Sequence, residues 1–189
     1  MRYHDITKDD MNNGDGLRTV LWVSGCSHCC KDCQNPITWD PDGGLLFDEA
    51  AKEEVFENLS KSYVSGLTLS GGDPLYPKNV VDVTEFVMEV KEKFPQKTIW
   101  LYTGSVWEDI CDYPLLEYVD VVVDGEFVAD LKDNSLCWKG SSNQRVIDVK
   151  QSLNNENKEV VLHCKDHYSG EIESISKEGA VERKDCACC

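Results

Sequence analysis

Basic side chains are scarce in this 189-residue chain: 19 lysines and arginines stand against 35 aspartates and glutamates, a net charge of −16. Such a surface repels phosphate backbones. That argues against nucleic-acid binding and leaves two readings, a well-solvated shell or a docking face for a basic partner. Long apolar runs are missing too. No stretch approaches the roughly 20 residues that span a bilayer, and Met1-Arg2-Tyr3-His4-Asp5 lacks the apolar core of a signal peptide. A cytoplasmic protein with no membrane association is therefore expected. Cysteine, by contrast, is abundant at ten residues. In a reducing compartment that number points to metal or redox chemistry rather than to a disulfide scaffold.

Three of these thiols, Cys26, Cys30 and Cys33, follow the spacing Cys-x3-Cys-x2-Cys directly after Val20-Leu21-Trp22-Val23, which reads as a strand. A 4Fe-4S cubane is usually held by four thiolates, so a self-contained set of three leaves one iron open to a substrate. Zinc is the rival ligand, in a non-enzymatic metal-binding module. It prefers paired Cys-x2-Cys units that close a tetrahedron, which one short triplet does poorly. Cys29 would reverse the spacing and is read as a non-ligand. His28, between two ligands on a tight loop, is read as orienting the loop rather than as a fourth ligand.

Short runs rich in β-branched and aromatic residues predict strands at Thr19–Val23, Gly66–Leu69, Thr98–Tyr102, Val119–Val123 and Val146–Val149. Asp48–Ser60 carries Ala51, Val55 and Leu59 on one helical face, and Lys78–Phe94 does the same with Val83, Phe86, Val87, Val90 and Phe94. Ser105-Val106-Trp107-Glu108 has the form of a capping box, which predicts a third helix from Val106. Alternating β and α elements favour a parallel sheet covered by helices, with function at the carboxyl ends of the strands. Too few strands remain for eight staves. The expected fold is α/β, an incomplete, laterally open (β/α) barrel with mostly parallel strands.

The stretch from Gly25 to Trp39 resembles the cluster loop of radical S-adenosylmethionine (SAM) enzymes. Four further motifs occur in the order found in activating proteins of anaerobic (class III) ribonucleoside-triphosphate reductases. They are Asn13-Gly14-Asp15-Gly16-Leu17-Arg18, Leu69-Ser70-Gly71-Gly72-Asp73-Pro74-Leu75, Val123-Asp124-Gly125, and Trp138-Lys139-Gly140-Ser141-Ser142-Asn143-Gln144-Arg145. The resemblance implies a radical SAM core domain over 1–149, with one 4Fe-4S cluster on Cys26, Cys30 and Cys33, and SAM as cosubstrate. It also implies the reaction. An electron from a donor such as flavodoxin, passed through the reduced cluster, breaks the sulfur–C5′ bond to give methionine and a 5′-deoxyadenosyl radical. That radical takes a hydrogen from a glycine near the C-terminus of the reductase and leaves a glycyl radical. No catalytic side chain is needed beyond cluster and cosubstrate. A different glycyl-radical activase, or a small-molecule radical enzyme such as a deazapurine synthase, is the alternative within the superfamily.

Asp32, Cys33 and Gln34 are expected beside the cosubstrate, although Asp32 stands where many enzymes of the larger superfamily carry an aromatic residue and the activating proteins commonly a glycine, and Gln34 where the activating proteins commonly carry an aromatic one. Adenine contact from this loop then falls to backbone or polar groups. Ser70, Gly71, Gly72 and Asp73 offer unobstructed backbone groups for the ammonium end of SAM, or simply a tight turn closed by Pro74. Thr103 before Gly104 borders the same rim or only ends a strand. Asp124 organises the site or initiates a turn. Asn143 and Arg145 lie in a polar loop, Arg145 able to grip a carboxylate of cosubstrate or partner.

Beyond Val149 the resemblance fades into a Cys-containing extension, 150–189. Gln151–Glu159 reads as a linker. Cys164, His167, Cys186, Cys188 and Cys189 suit a small metal site, a redox dithiol or an unstructured end.

Overall fold

Seven strands, β1 (Arg2–Asp10), β2 (Leu17–Val23), β3 (Leu45–Leu46), β4 (Val64–Gly71), β5 (Thr98–Tyr102), β6 (Val121–Asp124) and β7 (Arg145–Asp148), make one open sheet ordered β3-β1-β2-β4-β5-β6-β7. This computed structural model describes residues 1–163. Strands β2, β4, β5 and β6 pair in parallel, as the β-α alternation predicts. The flanks do not: β1 on β2, β3 on β1, and β7 on β6 are all antiparallel. The expectation of a mostly parallel sheet is thus met only in the centre, and the sheet does not close on itself. Antiparallel neighbours need no crossover helix, and the segments joining β1 to β2 and β6 to β7 contain no α-helix.

The parallel strands are joined by the helices that their apolar stripes foretell. Helix α1 (Glu49–Leu59) starts where Asp48 accepts from Ala51 N at 3.0 Å, and it buries Ala51, Val55, Phe56 and Leu59. Helix α2 (Val80–Lys93) buries Val83, Phe86, Val87 and Val90 and carries Lys91 and Lys93 in its last turn, where the helix dipole favours them. These stripes pack on Leu21, Leu67, Leu69, Ile99 and Leu101 to form the main core. By strand alternation the opposite face receives Trp100, Val121, Val123 and Val146, with Tyr102 and Trp138 against them.

Several boundaries differ from the sequence expectation. The third helix, α3 (Trp107–Ile110), is a single turn, and the Ser105–Glu108 capping box does not form. Asp124, at the end of β6, accepts from Trp107 N at 2.8 Å instead, while Glu108 turns away to Arg145. The run from Val119 joins the ladder only at Val121, where the strand starts; the Asp120 carboxylate before it is held by Ile99 N, Lys91 and Lys150. Val149 opens helix α4 (Val149–Asn154) rather than ending a strand, since Asp148 caps it through Gln151 N at 2.9 Å. The expected linker from Gln151 therefore begins inside a helix. After α4 the chain returns along the free edge of β7: Asp148 N donates to Val161 O and His163 N to Val146 O, each at 2.9 Å. Among the described residues no helix is long and apolar enough to cross a membrane. Cys164, His167, Cys186, Cys188 and Cys189 lie outside the described residues.

Candidate functional site

The carboxyl ends of β2, β4, β5 and β6 surround a cavity of about 500 Å³. Cys26, Cys30 and Cys33 all line it as half-buried free thiols, whereas Cys29 is exposed and off its wall. The loop achieves this by left-handed backbone at Cys29 (φ 50°) and Asp32 (φ 57°), which reverses the chain between the ligand positions. Its ends are pinned by Gly25 N to Thr38 O at 2.7 Å and Cys26 N to Trp39 O at 3.2 Å. Asn35 N donates to Cys33 Sγ at 3.4 Å. Burial pushes the Cys26 thiol up to about 11 and raises Cys30, so these thiols stay protonated until a metal displaces the proton. Among the described residues no three His, Cys, Asp or Glu side chains gather closely enough to hold a single ion. Three soft thiols lining one cavity suit a multi-iron cluster rather than a single ion, so the donor set of Cys26, Cys30 and Cys33 fits a 4Fe-4S group.

The Ser70–Asp73 turn backs directly onto this loop. Gly72 N donates to Val23 O and Asp73 N to Gly25 O, each at 2.8 Å. A Cβ on Gly72 would stand 2.5 Å from Gly25 O, so the close approach requires glycine there. Asp73 is 3% exposed. Its Oδ1 accepts from Leu75 N at 2.8 Å, and its Oδ2 accepts from His28 Nε2 at 2.7 Å, Thr103 Oγ1 at 3.0 Å and Gly104 N at 3.3 Å. Hydrogen bonding to Asp73 above all, and to Glu126, holds the His28 imidazole up to about 9 despite its burial.

Of the other expected residues, Gln34, Ser70, Gly71 and Thr103 line the cavity. Asp32 is exposed. Asp124 is 1% exposed and committed to Trp107 N and to Arg145, whose Nη2 lies 2.5 Å from its Oδ2. Arg145 also grips Glu108 through both carboxylate oxygens, at 2.9 and 2.8 Å. Asn143 Nδ2 donates to Glu126 O at 2.8 Å, ordering the loop after β6. These three brace the rim rather than face the cavity.

Other walls carry residues that the motif reading left without a role. Gln144 accepts from Gly140 N at 2.9 Å and donates to Gly125 O at 2.9 Å, shaping the wall from both sides. Trp22, Tyr102, Phe127 and Trp138 supply aromatic surface; Trp22 and Tyr102 were legible as inward-facing by strand alternation. Asn13 reaches the cavity because its carbonyl accepts from Thr68 Oγ1 at 2.8 Å. Arg18, of the same motif, is fully buried and donates to Thr68 Oγ1 and Leu67 O at 2.7 Å and to Thr98 O at 3.0 Å, stapling β2, β4 and β5.

A family profile described as a 4Fe-4S single cluster domain matches residues 12–147, and so contains the cysteine loop and every rim turn just described. The anaerobic ribonucleoside-triphosphate reductase-activating protein of Enterobacteria phage T4 is 47% identical over 146 residues, 77% of this chain and 93% of that protein. Its namesake from Haemophilus influenzae is 41% identical over 148 residues, 76% of this chain and 96% of the relative. The Escherichia coli K12 protein of that name is 41% identical over 150 residues, 77% and 97% respectively. With an iron–sulfur domain match over most of its length and such relatives, the chain belongs to the family of anaerobic ribonucleoside-triphosphate reductase-activating proteins.

Proposed function

We propose that this chain generates a glycyl radical on an anaerobic ribonucleoside-triphosphate reductase by reductive cleavage of SAM. The observation that carries the reading is the placement of Cys26, Cys30 and Cys33 on one wall of a cavity whose other walls include Ser70–Asp73 and Thr103. When bound, a reduced 4Fe-4S cluster supplies one electron to SAM, releasing methionine and the radical that takes hydrogen from the reductase's glycine. Cys26, Cys30 and Cys33 would hold the cluster, and a set of three thiolates would leave it able to bind the cosubstrate. Backbone groups of Ser70, Gly71 and Gly72 receive the ammonium end, with Cys33 and Gln34 bordering the cosubstrate. Asp73, Thr103, Asp124, Asn143 and Arg145 act by holding these walls in register, and Asp32, exposed beside Cys33, borders the cosubstrate from the loop. Trp22, Tyr102, Phe127 and Trp138 line the cavity and shield the radical from side reactions with other hydrogen donors.

In this reading residues 1–149 are the radical SAM core, an open relative of a (β/α) barrel, and 150–189 an extension. The open side admits the glycine-bearing segment of the reductase. A one-electron donor such as flavodoxin reduces the cluster in the cytoplasm.

The test is anaerobic. Protein reconstituted with iron and sulfide is reduced with dithionite, mixed with SAM and the reductase, and assayed for 5′-deoxyadenosine and for a glycyl-radical resonance. Both products are expected from the wild type, and neither from Cys26→Ala, Cys30→Ala or Cys33→Ala. Stoichiometric zinc with no SAM cleavage would overturn the reading.

A further inference from the structure

One imidazole touches the whole rim of the cavity. His28 stands on the loop after β2, between Cys26 and Cys30. Its Nε2 donates to Asp73, after β4, at 2.7 Å, and its Nδ1 donates to Glu126, after β6, at 2.9 Å. The ring lies against Gly104, after β5: a Cβ there would stand 2.5 Å from His28 Cδ2 and 2.6 Å from Cγ. The same Asp73 oxygen also accepts from Thr103 Oγ1 and Gly104 N, so a single carboxylate ties the cysteine loop to two other strand ends.

We propose that His28 is the positioning residue of the cysteine loop, fixing the direction in which Cys26, Cys30 and Cys33 face the cavity. This rests on the proposed function only in what the loop is positioned for. Two other roles fit less well. A histidine that merely fills space would have apolar neighbours, whereas here both ring nitrogens are taken by carboxylates on separate loops. A fourth iron ligand needs a free ring nitrogen, and both are engaged. The contact with Gly104 adds a steric stop behind the ring, so the imidazole is fixed by direction as well as by distance.

The position also explains why the Ser70–Asp73 turn cannot be treated as a cosubstrate clamp alone. Asp73 gives both oxygens to protein donors, so its contribution to the cavity is made through His28 and Thr103. A hydrogen bond to a buried carboxylate is among the stronger kind, and breaking it frees the loop to sample other directions.

The test uses His28→Phe, which keeps a ring against Gly104 but donates nothing, and His28→Gln, which restores a donor toward Asp73. The first readout is hydrogen exchange at the amides of Cys26–Cys33 in the full-length, iron-free protein. Exchange about tenfold faster in His28→Phe, and within about threefold of wild type in His28→Gln, is expected from the loss and recovery of one such bond. The second readout is SAM cleavage by reconstituted protein, where KM for SAM should rise about tenfold in His28→Phe with kcat less affected. Wild-type exchange in His28→Phe overturns the positioning role, as does equal damage in both variants. Iron lost from both variants while loop exchange stays slow would make His28 a ligand and also overturn it. A wild type that fails to cleave SAM sinks the proposed function and leaves the exchange result to judge His28 by itself.

Discussion

His163 Nε2 lies 2.7 Å from Asp15 Oδ2, joining the segment after α4 to the Asn13–Arg18 turn that enters β2. The same ring meets Trp100 edge-on with centroids 5.3 Å apart, and Trp100 in turn meets Trp138 at 5.1 Å. The matched family region covers residues 12–147, so Asp15, Trp100 and Trp138 lie inside it and His163 reaches them from beyond its end. His163→Ala and Asp15→Asn should each cost about 0.5–1 kcal/mol, and the double variant should cost no more than the larger single change. Urea unfolding followed by tryptophan fluorescence checks this; strict additivity would show that the pair does not interact.

Removing any cavity-lining cysteine should abolish cluster binding, while Cys29→Ala should leave it intact. Iron and sulfide per chain after reconstitution, with absorbance near 400 nm, are the measurements. Loss of iron in Cys29→Ala would mean that the loop rearranges on loading and that the metal-free wall is not the ligand set.

Among the described residues no carboxylate lies within hydrogen-bonding distance of Arg18, yet it is sealed inside the sheet and stacked near Trp100 at 5.4 Å. Burial pulls its guanidinium down to about 10. Arg18→Met removes a buried charge but strands the carbonyls of Leu67 and Thr98, for a net loss of about 2–4 kcal/mol. Arg18→Lys should not restore stability, because one ammonium cannot reproduce the fork that reaches three strands. Denaturant midpoints for the two variants decide the point.

Gly66 pairs with Thr98 in the parallel ladder, and a Cβ on it would stand 1.9 Å from the Thr98 carbonyl oxygen. Gly66→Ala must spread β4 from β5 and should destabilise by about 2–4 kcal/mol. Recovery of the wild-type melting temperature would show that the strands can separate without loss.

Arg145 holds the Glu108 carboxyl down to about 2 from an ordinary value of 4.5. A carboxyl depressed on folding stabilises the protein above its unfolded value and loses that contribution as pH falls through the folded one. Wild type should therefore exceed Glu108→Gln in stability at pH 7 and converge with it between about pH 4.5 and 2. Glu108 is 59% exposed, so solvent screening keeps the difference below about 1 kcal/mol. Thermal melts across that window measure it.

Local patterns were readable wherever the signal lies within a few residues. The apolar stripes of α1 and α2, the four parallel strands and the cysteine loop all emerge from spacing alone. Strand β1 did not, because Arg2–Asp10 is largely polar and is a strand only through its pairing with β2. The Ser105–Glu108 capping box failed for a similar reason: Arg145 draws Glu108 away across 37 positions, and Asp124 takes over the cap. Asp124 was read as organising the site or opening a turn and Arg145 as gripping a carboxylate, but that the carboxylates beside Arg145 are Asp124 and Glu108 of its own chain was not visible in the sequence. His28 was legible as a loop residue, but its two carboxylate partners, 45 and 98 positions away, were not.

The return of the chain along β7 also bears on how the protein behaves at high concentration. With Val161 and His163 bonded to that edge, and Leu162 bridged to Ile147, one end of the sheet offers few free backbone groups to another molecule. The other end is β3, a strand of two residues, Leu45 and Leu46, both exposed. It covers only Arg2 and Tyr3 of β1, so the rest of that edge is open, but a largely polar strand on a body bearing sixteen excess negative charges gives little foothold for edge-to-edge stacking. Shortening the chain before Val160 would uncover β7 and turn a blunted edge into an adhesive one.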